Sequence, residues 1–327
     1  MKTVKNNSDI FGIAAIEYLN PPIKYTVDQL HEKDLLLSEP DAMRELGFEY
    51  CLMWDKPATD ALTEVVAKLL ENSGTQPDEV DLLINATAVS ESALVPPNYS
   101  APTTHENRHL QQFMHSSAKA QDDLGLVNAK TMGISEISCS SLMTSLWTAR
   151  ALMIEEGLDT AVCVNVDKFP DGYKREVVYN VVSDSACAVL LKRDCKTNKI
   201  VTYDAMTRGY YWDSDRRQNE MIASYFTTGS RIVQRTLNKV GMTLSDVSLM
   251  IPHNVSMRSW QILSELIGYP IENVYTGNIS EMAHSIAADN FINLKDIEEK
   301  GILKPGDITM LYTFGLGAHW GCMLLEA

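Results

Sequence analysis

Two short stretches of this sequence repeat each other: GISEISCSS at residues 133–141 and NISEMAHSI at residues 278–286. Both contain Ile-Ser-Glu followed by small residues, with Cys139 in the first copy and His284 at the matching place in the second. A single short match can arise by chance. Its meaning therefore depends on whether the rest of the chain repeats in the same order.

Two further pairs of segments repeat in step with the first. ENSGTQPDEVDLLINATAVS (71–90) matches NKVGMTLSDVSLMIPHNVSM (238–257), because each ends a helical pattern at a glycine and then enters an apolar run typical of a buried strand. The strand-like ACAVLLK (186–192) likewise matches GCMLLEA (321–327). Three matches in series indicate an internal duplication. Since each half alternates strand and helix patterns, we expect two similar α/β halves packed about a pseudo-twofold axis.

The composition is that of an ordinary soluble globular protein, with 327 residues, 45% of them hydrophobic and 22% charged. The formal net charge of −15 argues against nucleic acid and anionic membranes as partners. No apolar run reaches the roughly 20 residues that span a bilayer, and the N-terminus does not read as a signal peptide. The six cysteines form no CxxC pair, which favours reduced thiols. We therefore expect a cytoplasmic protein.

Cys139 lies between a β-like stretch and the helical pattern SSLMTSLWTARALMIEEG (140–157). At a helix N-terminus, unpaired N–H groups and the positive end of the helix dipole stabilise a thiolate. Under the duplication, Cys139 and His284 would face each other across the pseudo-twofold axis. The competing interpretation is a buried structural cysteine, and the helix-start context alone leaves the two evenly matched.

Two histidines also occupy positions suited to chemistry. His253 follows the buried run VSLMI (247–251) and Pro252, at the carboxyl end of a strand where α/β sites gather. His284 opens another helical pattern among small residues. A turn histidine and a helix-capping or core histidine are the respective alternatives.

The stretch TFGLGAHWG (313–321) has closely spaced glycines between two apolar runs. Such a turn lets backbone approach backbone, and it can offer an N–H group to a developing oxyanion. A tight hairpin is the commoner use of this pattern. We expect the nearby His319 to be a packing residue.

Together these segments resemble the thiolase-fold condensing enzymes, and within them the β-ketoacyl-carrier-protein synthase III (ketosynthase III) group. The resemblance runs nearly end to end. The matching stretches are the first strand and loop DIFGIAAIEYLNPPIKYT (9–26), the nucleophile segment ISCSSLMTSLWTARALMIEEG (137–157), the PHxxN/S element IPHNVSMRSW (251–260) and the C-terminal segment ILKPGDITMLYTFGLGAHWGCMLL (302–325).

The resemblance implies a five-layered αβαβα thiolase fold of two pseudo-symmetric halves. Residues 1–195 would carry the nucleophile and residues 196–327 the catalytic histidines, with an inserted loop at about 91–112. It also implies a homodimer that needs no cofactor beyond its substrate. That substrate would be an acyl thioester of coenzyme A or of an acyl carrier protein.

By the same resemblance, Cys139 takes the acyl group from the thioester. The N–H groups of Cys139 and of the turn formed by Gly315, Leu316 and Gly317 would hold the oxyanion. This step leaves an acyl-enzyme.

His253 and His284 would then donate hydrogen bonds to a malonyl-type thioester, whose enolate attacks the acyl group after carbon dioxide leaves. This is a decarboxylative Claisen condensation of the kind used in fatty-acid-like or polyketide biosynthesis. The alternative is an acyltransferase, in which one histidine deprotonates an incoming hydroxyl, amine or thiol.

The chain departs from the family pattern in several places. His284 stands where the priming enzymes carry asparagine, so the Cys-His-His set resembles that of the chain-elongating ketosynthases. SDSACA (183–188) replaces a GDGAGA-like turn, and EPDAMRELGFEY (39–50) lacks the basic and tryptophan positions of a coenzyme A channel. The inserted loop has no family counterpart. We expect it over the acyl pocket or at the dimer contact, with Phe113 and Met143 lining the pocket.

One motif is typical of a different class of enzyme. HENRHLQQFMH (105–115) contains HExxH, and His105, His109 and His115 have the spacing of metzincin zinc ligands. However, Gln112 replaces the glycine of that motif, and the segment follows a proline-rich polar loop. We therefore treat a zinc metalloprotease as a remote alternative and expect no metal site. A non-catalytic partner chain is also disfavoured, since the cysteine and both histidines remain.

Overall fold

The computed structural model describes residues 10–96 and 110–327. Its strands are β1 Phe11–Leu19, β2 Ile23–Thr26, β3 Tyr50–Met53, β4 Leu82–Ala86, β5 Lys130–Ile134, β6 Thr160–Asp167, β7 Glu176–Val177, β8 Asn180–Val181, β9 Ser185–Arg193, β10 Lys199–Thr207, β11 Leu249–Pro252, β12 Ile308–Gly315 and β13 His319–Glu326. Its α-helices are α1 Val27–Glu32, α2 Pro40–Glu45, α3 Ala58–Ser73, α4 Ser116–Asp123, α5 Ser141–Glu156, α6 Gln218–Asn238, α7 Met257–Ile267, α8 Ile279–Met282 and α9 Asp289–Glu299.

The strand order of the main sheet reflects the internal duplication. Among the described residues this sheet runs β11-β12-β13-β10-β1-β9-β6-β4-β5. β1 and β10, the first strands of the two halves, pair with each other at Gly12 and Lys199. Outward from them come β9, β6 and β4 in one half and β13, β12 and β11 in the other. The outermost place is taken by β5 in the first half and by a bridge at Val274 in the second.

Helices lie in three layers around the two halves of the sheet. α3 covers the outer face of the first half, against β1, β6 and β9, and α6 covers the second half, against β10 and β13. Between the halves lie α5, which contacts β4, β6, β9 and β13, and α9, which contacts β1, β9, β11 and β12. This αβαβα arrangement confirms the predicted fold.

The helices form where the apolar spacing predicts them. α5 buries Leu142, Leu146, Ala149 and Met153, which lie on one face of a 3.6-residue repeat. It ends at Gly157, whose φ of +70° is the left-handed conformation that glycine adopts without strain. The buried face of α5 therefore fixes the position of the turn that precedes it.

Cys139 and His284, the matched residues of the two copies, are in contact, but they are not strict symmetry mates. Cys139 lies two residues before α5 begins at Ser141, whereas His284 lies five residues before α9 begins at Asp289. In the second copy the chain bends at Ala283, which has a φ of +51°. The two matched residues therefore lie at different distances from the helices that follow them.

The inserted loop is described only at its two ends. The N–H of Val95 donates to the carbonyl of Met114 at 2.8 Å, and Leu94 bridges to His115, so the two ends lie side by side. Residues 97–109, which include His105 and His109, lie outside the described residues. Within the described ranges, no helix combines the length and apolarity needed to cross a membrane.

Candidate active site

Cys139 sits in the 3-10 turn Ser138–Ser140, directly before α5. The side chain is buried, and its Sγ lies 3.2 Å from Nε2 of His284. Ser138 has a φ of +48°, a conformation that non-glycine residues rarely adopt outside functional or tightly constrained turns. The structure therefore brings together the two residues that the repeat pairs in sequence.

Asp289 completes a Cys-His-Asp triad that the sequence analysis missed. Its Oδ2 lies 2.5 Å from Nδ1 of His284. The carboxylate is fully buried and also accepts the N–H of Asn254 at 2.6 Å and the N–H of Ser285 at 2.7 Å. Because the carboxylate oxygens can only accept, the hydrogen on Nδ1 of His284 points at Asp289, which leaves Nε2 to face the thiol.

The charges around His284 favour its protonated form. Burial by itself lowers the pKa of His284, but the neighbouring Cys139 sulfur and Asp289 carboxylate outweigh it and raise the pKa to about 10. An imidazolium beside the sulfur stabilises a thiolate. The arrangement can therefore hold the thiol proton on His284 and supply a nucleophile.

His253 follows β11, and its ring lies beside that of His284, with 5.4 Å between the ring centroids. The N–H of Phe314 donates to its Nδ1 at 3.1 Å, so a neutral His253 carries its hydrogen on Nε2. Burial, and then the charge of His284, lower the pKa of His253 well below its usual value. His253 is therefore a neutral hydrogen-bond donor rather than a charged group.

The glycine-rich turn packs directly against the nucleophile. A Cβ on Gly315 would lie 2.4 Å from the carbonyl oxygen of Ile137 and 3.1 Å from the backbone nitrogen of Cys139. Only glycine permits this approach. Leu316 lines the same cavity as Cys139, whereas Gly317 is not among its wall residues. The turn therefore lies directly against the backbone of Cys139.

Cys139, His253 and His284 line one cavity of about 510 Å³ with a mostly apolar wall. Phe113 is 71% exposed and does not line it. Met143 is buried beneath the site, with its sulfur next to Gly321, and does not line it either. Neither predicted acyl-pocket residue is therefore in the cavity wall. The wall is supplied by segments that the sequence analysis did not single out, chiefly β7–β8 with their turn (Val177–Asn180) and the inner face of α6.

The described end of the inserted loop lies near this cavity. Leu94 and Gln112 border a second cavity that shares Phe169 with the first. His115 is exposed at the start of α4, and within 10–96 and 110–327 no group of His, Cys, Asp and Glu side chains is arranged to hold a metal ion. His319 is buried in β13 and bonds to Thr207 through Nδ1 at 2.9 Å, outside the cavity wall.

Comparison with known proteins extends over both halves of the chain. Residues 237–327 match the family described as 3-oxoacyl-[acyl-carrier-protein (ACP)] synthase III C terminal. The chain is 25% identical over 301 residues to the beta-ketoacyl-[acyl-carrier-protein] synthase III of Nitratidesulfovibrio vulgaris, covering 82% of this chain and 83% of that protein. It is 26% identical over 289 residues to the synthase of the same name from Campylobacter jejuni, covering 82% of each.

Solved structures agree with this likeness at the level of the fold. The 3-oxoacyl-[acyl-carrier-protein] synthase III of Aquifex aeolicus superposes with a TM-score of 0.80 at 22% identity, covering 97% of this chain and all of that chain. Cerulenin-bound OleA of Xanthomonas campestris superposes with a TM-score of 0.75 at 17% identity, covering 97% and 99%. The shared architecture thus includes the middle layer that carries Cys139 and Asp289.

Proposed function

Because the chain is a member of the ketosynthase III-like, thiolase-fold family, we propose that it is a condensing enzyme. In this proposal Cys139 receives an acyl group from a thioester of coenzyme A or an acyl carrier protein. The acyl group then joins a malonyl-type thioester with loss of carbon dioxide. The observation that carries the proposal is the 3.2 Å contact between Cys139 and His284 at the floor of an apolar cavity, with Asp289 behind the imidazole.

Acylation uses the Cys-His-Asp triad. The thiol proton moves to Nε2 of His284, and the thiolate attacks the thioester carbonyl. The N–H groups of Cys139 and of the Gly315–Gly317 turn hold the oxyanion while it exists. When the intermediate collapses, the C–S bond to the carrier breaks and its thiolate takes the proton back from His284. Asp289 keeps the imidazole in the orientation that both transfers need.

Condensation uses the histidines as donors. As the malonyl-type thioester loses carbon dioxide, the electron pair of the broken C–C bond moves onto its carbonyl oxygen. Once the carrier has left, His284 takes up a proton from solvent at Nε2 and donates a hydrogen bond from there to the enolate oxygen. Neutral His253 supports the same oxygen from its own Nε2–H, directly or through a neighbouring hydroxyl. The electron pair then forms the new C–C bond to the acyl carbon, and the bond to Cys139 breaks to return the thiolate.

A second candidate is acyl transfer without C–C bond formation. The pairing of His284 with Asp289 favours it, because a carboxylate-supported imidazole is well suited to deprotonate an incoming hydroxyl, amine or thiol. The two candidates share the acyl-enzyme and differ only in the second step.

Intact-mass spectrometry tests the shared step. We expect the wild-type protein to gain the mass of one acyl group from a member of a panel of acyl thioesters, and Cys139→Ala to gain none. A malonyl thioester added afterwards should release carbon dioxide and yield a β-keto product. Release of the acyl group to an alcohol or amine without carbon dioxide would favour acyl transfer. No adduct on the wild type with any thioester of the panel would overturn both candidates.

We also propose a homodimer formed through β5. This strand ends the main sheet, and Lys130, Thr131, Met132 and Gly133 are exposed. An unpaired strand edge can pair with the same edge of a second copy.

We expect the wild type to sediment at about twice its chain mass of 36.5 kDa. Met132→Glu, which places like charges at the contact, should weaken the dimer at least about tenfold. Leu266→Glu, at an exposed position of α7, is the control and should not change the dimer. A wild type that remains monomeric at micromolar concentration contradicts this prediction.

A further inference from the structure

We propose that Tyr225 is a further catalytic residue, whose hydroxyl donates a hydrogen bond to the thioester carbonyl oxygen of the second substrate. This proposal rests on the proposed condensation and names the group that meets the enolate. Tyr225 lies on α6 and lines the cavity together with Cys139, His253 and His284.

The direction of the hydrogen bonds around His253 determines what Tyr225 can offer. The backbone N–H of Phe314 can only donate, so Nδ1 of neutral His253 accepts and Nε2 bears the hydrogen. Nε2 faces the hydroxyl of Tyr225 at 3.4 Å. Tyr225 therefore accepts from His253 through its oxygen. The buried hydroxyl of Tyr312 is its other neighbour, and with Tyr312 as a second donor to that oxygen, the O–H hydrogen of Tyr225 is available to an acceptor in the cavity. His253 thus donates to the phenol oxygen, and the phenol in turn donates to the substrate.

The ring of Tyr225 is held in place by two other aromatic rings. It meets Phe226 edge to face, with 4.9 Å between centroids, and meets Phe314 at an interplanar angle of 89° with 5.0 Å between centroids. Phe314 is the residue directly before Gly315. The hydroxyl is therefore fixed relative to the same turn that approaches Cys139. Preorganised donors of this kind are the ones that stabilise developing charge.

The protonation states suit a donor role. Burial raises the pKa of Tyr225, so the phenol keeps its hydrogen at neutral pH. During decarboxylation the enolate oxygen would accept from Tyr225 and from Nε2–H of His284, which has regained a proton from solvent after acylation. No proton is transferred to the carbon, and the electron pair passes into the new C–C bond as the acyl bond to Cys139 breaks.

Tyr225→Phe tests the proposal because it keeps the ring and removes only the hydroxyl. We expect the rate of Cys139 acylation, monitored by intact-mass spectrometry, to stay within about twofold of wild type. Carbon dioxide release and product formation should fall by about 10²-fold, the usual effect of removing one such donor. Tyr211→Phe is the matched control, since Tyr211 packs on Tyr210 outside the cavity wall. It should leave both steps unchanged.

The outcomes separate this proposal from the one it rests on. Absence of acylation in the wild type overturns the proposed function. A wild type that condenses together with an equally active Tyr225→Phe overturns the role of Tyr225, as does an equal loss of acylation and condensation, which would indicate a structural role.

A substrate-free measurement completes the test. The histidine ring signals in a long-range ¹H–¹⁵N spectrum should include one for Nε2 of His253, assigned by its loss in His253→Gln. Tyr225→Phe should shift that signal. An unmoved signal overturns the pairing whatever the substrate proves to be.

Discussion

Replacing Asp289 with asparagine should lower the rate of Cys139 acylation by about 10²- to 10⁴-fold, the range that positioned acid–base groups contribute. Both oxygens of Asp289 accept backbone N–H groups, from Asn254 and Ser285, and Oδ2 also accepts from Nδ1 of His284. Asparagine offers one oxygen and one NH₂ group, so at least one of these donors loses its acceptor. An NH₂ group facing Nδ1 would also turn the His284 hydrogen towards the thiol, where it blocks proton transfer.

Two measurements on Asp289→Asn separate chemistry from folding. Without the carboxylate the pKa of His284 falls, so His284 holds the thiol proton less well and alkylation of Cys139 by iodoacetamide at pH 7 should slow at least about tenfold. Chemical denaturation should show a loss of about 1–3 kcal/mol from the orphaned backbone donor. Asp296→Asn, also on α9 but paired with Lys300, is the control and should leave alkylation unchanged. Unaltered alkylation and acylation in Asp289→Asn would contradict the assignment.

Gly315→Ala should lower acylation by at least about 10²-fold, because the added methyl group displaces the turn from the oxyanion. The methyl carbon would lie 2.4 Å from the carbonyl oxygen of Ile137 and 3.0 Å from Cβ of Ser138. The first contact is with backbone, which cannot rotate away as a side-chain end can. Either β12 or the Ser138–Ser140 turn must move, at a cost of about 1–3 kcal/mol in the free energy of unfolding.

Gly209→Ala is the matched control for this change. Gly209 has an ordinary φ, and no atom of the described chain lies within 4 Å of the position its Cβ would take. The control should retain wild-type acylation and stability, within the usual range of a surface substitution of about 0.5 kcal/mol. If Gly315→Ala acylates at the wild-type rate, the turn does not contribute to the oxyanion site.

The fold was predictable because its signals are repetitive. Apolar spacing in 140–157, glycines at helix ends and three matched segments each indicate the same duplicated α/β arrangement, and the strand order confirms it. The offset between Cys139 and His284 was not predictable in the same way. It arises from the different distances of the two residues from their helices, which the short sequence match does not reveal.

The site was predictable only where a residue type is chemically conspicuous. Cysteine and histidine at helix starts and strand ends attract attention, and the structure brings Cys139, His253 and His284 to one cavity. Asp289 looks like an ordinary acidic residue in the first turn of a helix, so its five-residue separation from His284 carries no obvious signal. Tyr225 lies within an amphipathic helix, where an aromatic residue is more often a packing group. The loop position of Phe113 favours a place in the acyl pocket, but its side chain is exposed.

The packing of the middle helical layer affects the reactivity of Cys139, even at residues far from the cavity. α5 begins two residues after Cys139, α9 begins at Asp289, and the two helices share one apolar core. Each helix is held by its packing against the sheet strands around it, and that packing bears on the gap between sulfur and imidazole. Met153 and Ile297, buried far along α5 and α9, belong to this core. A change in their volume would retune the nucleophile without touching the cavity.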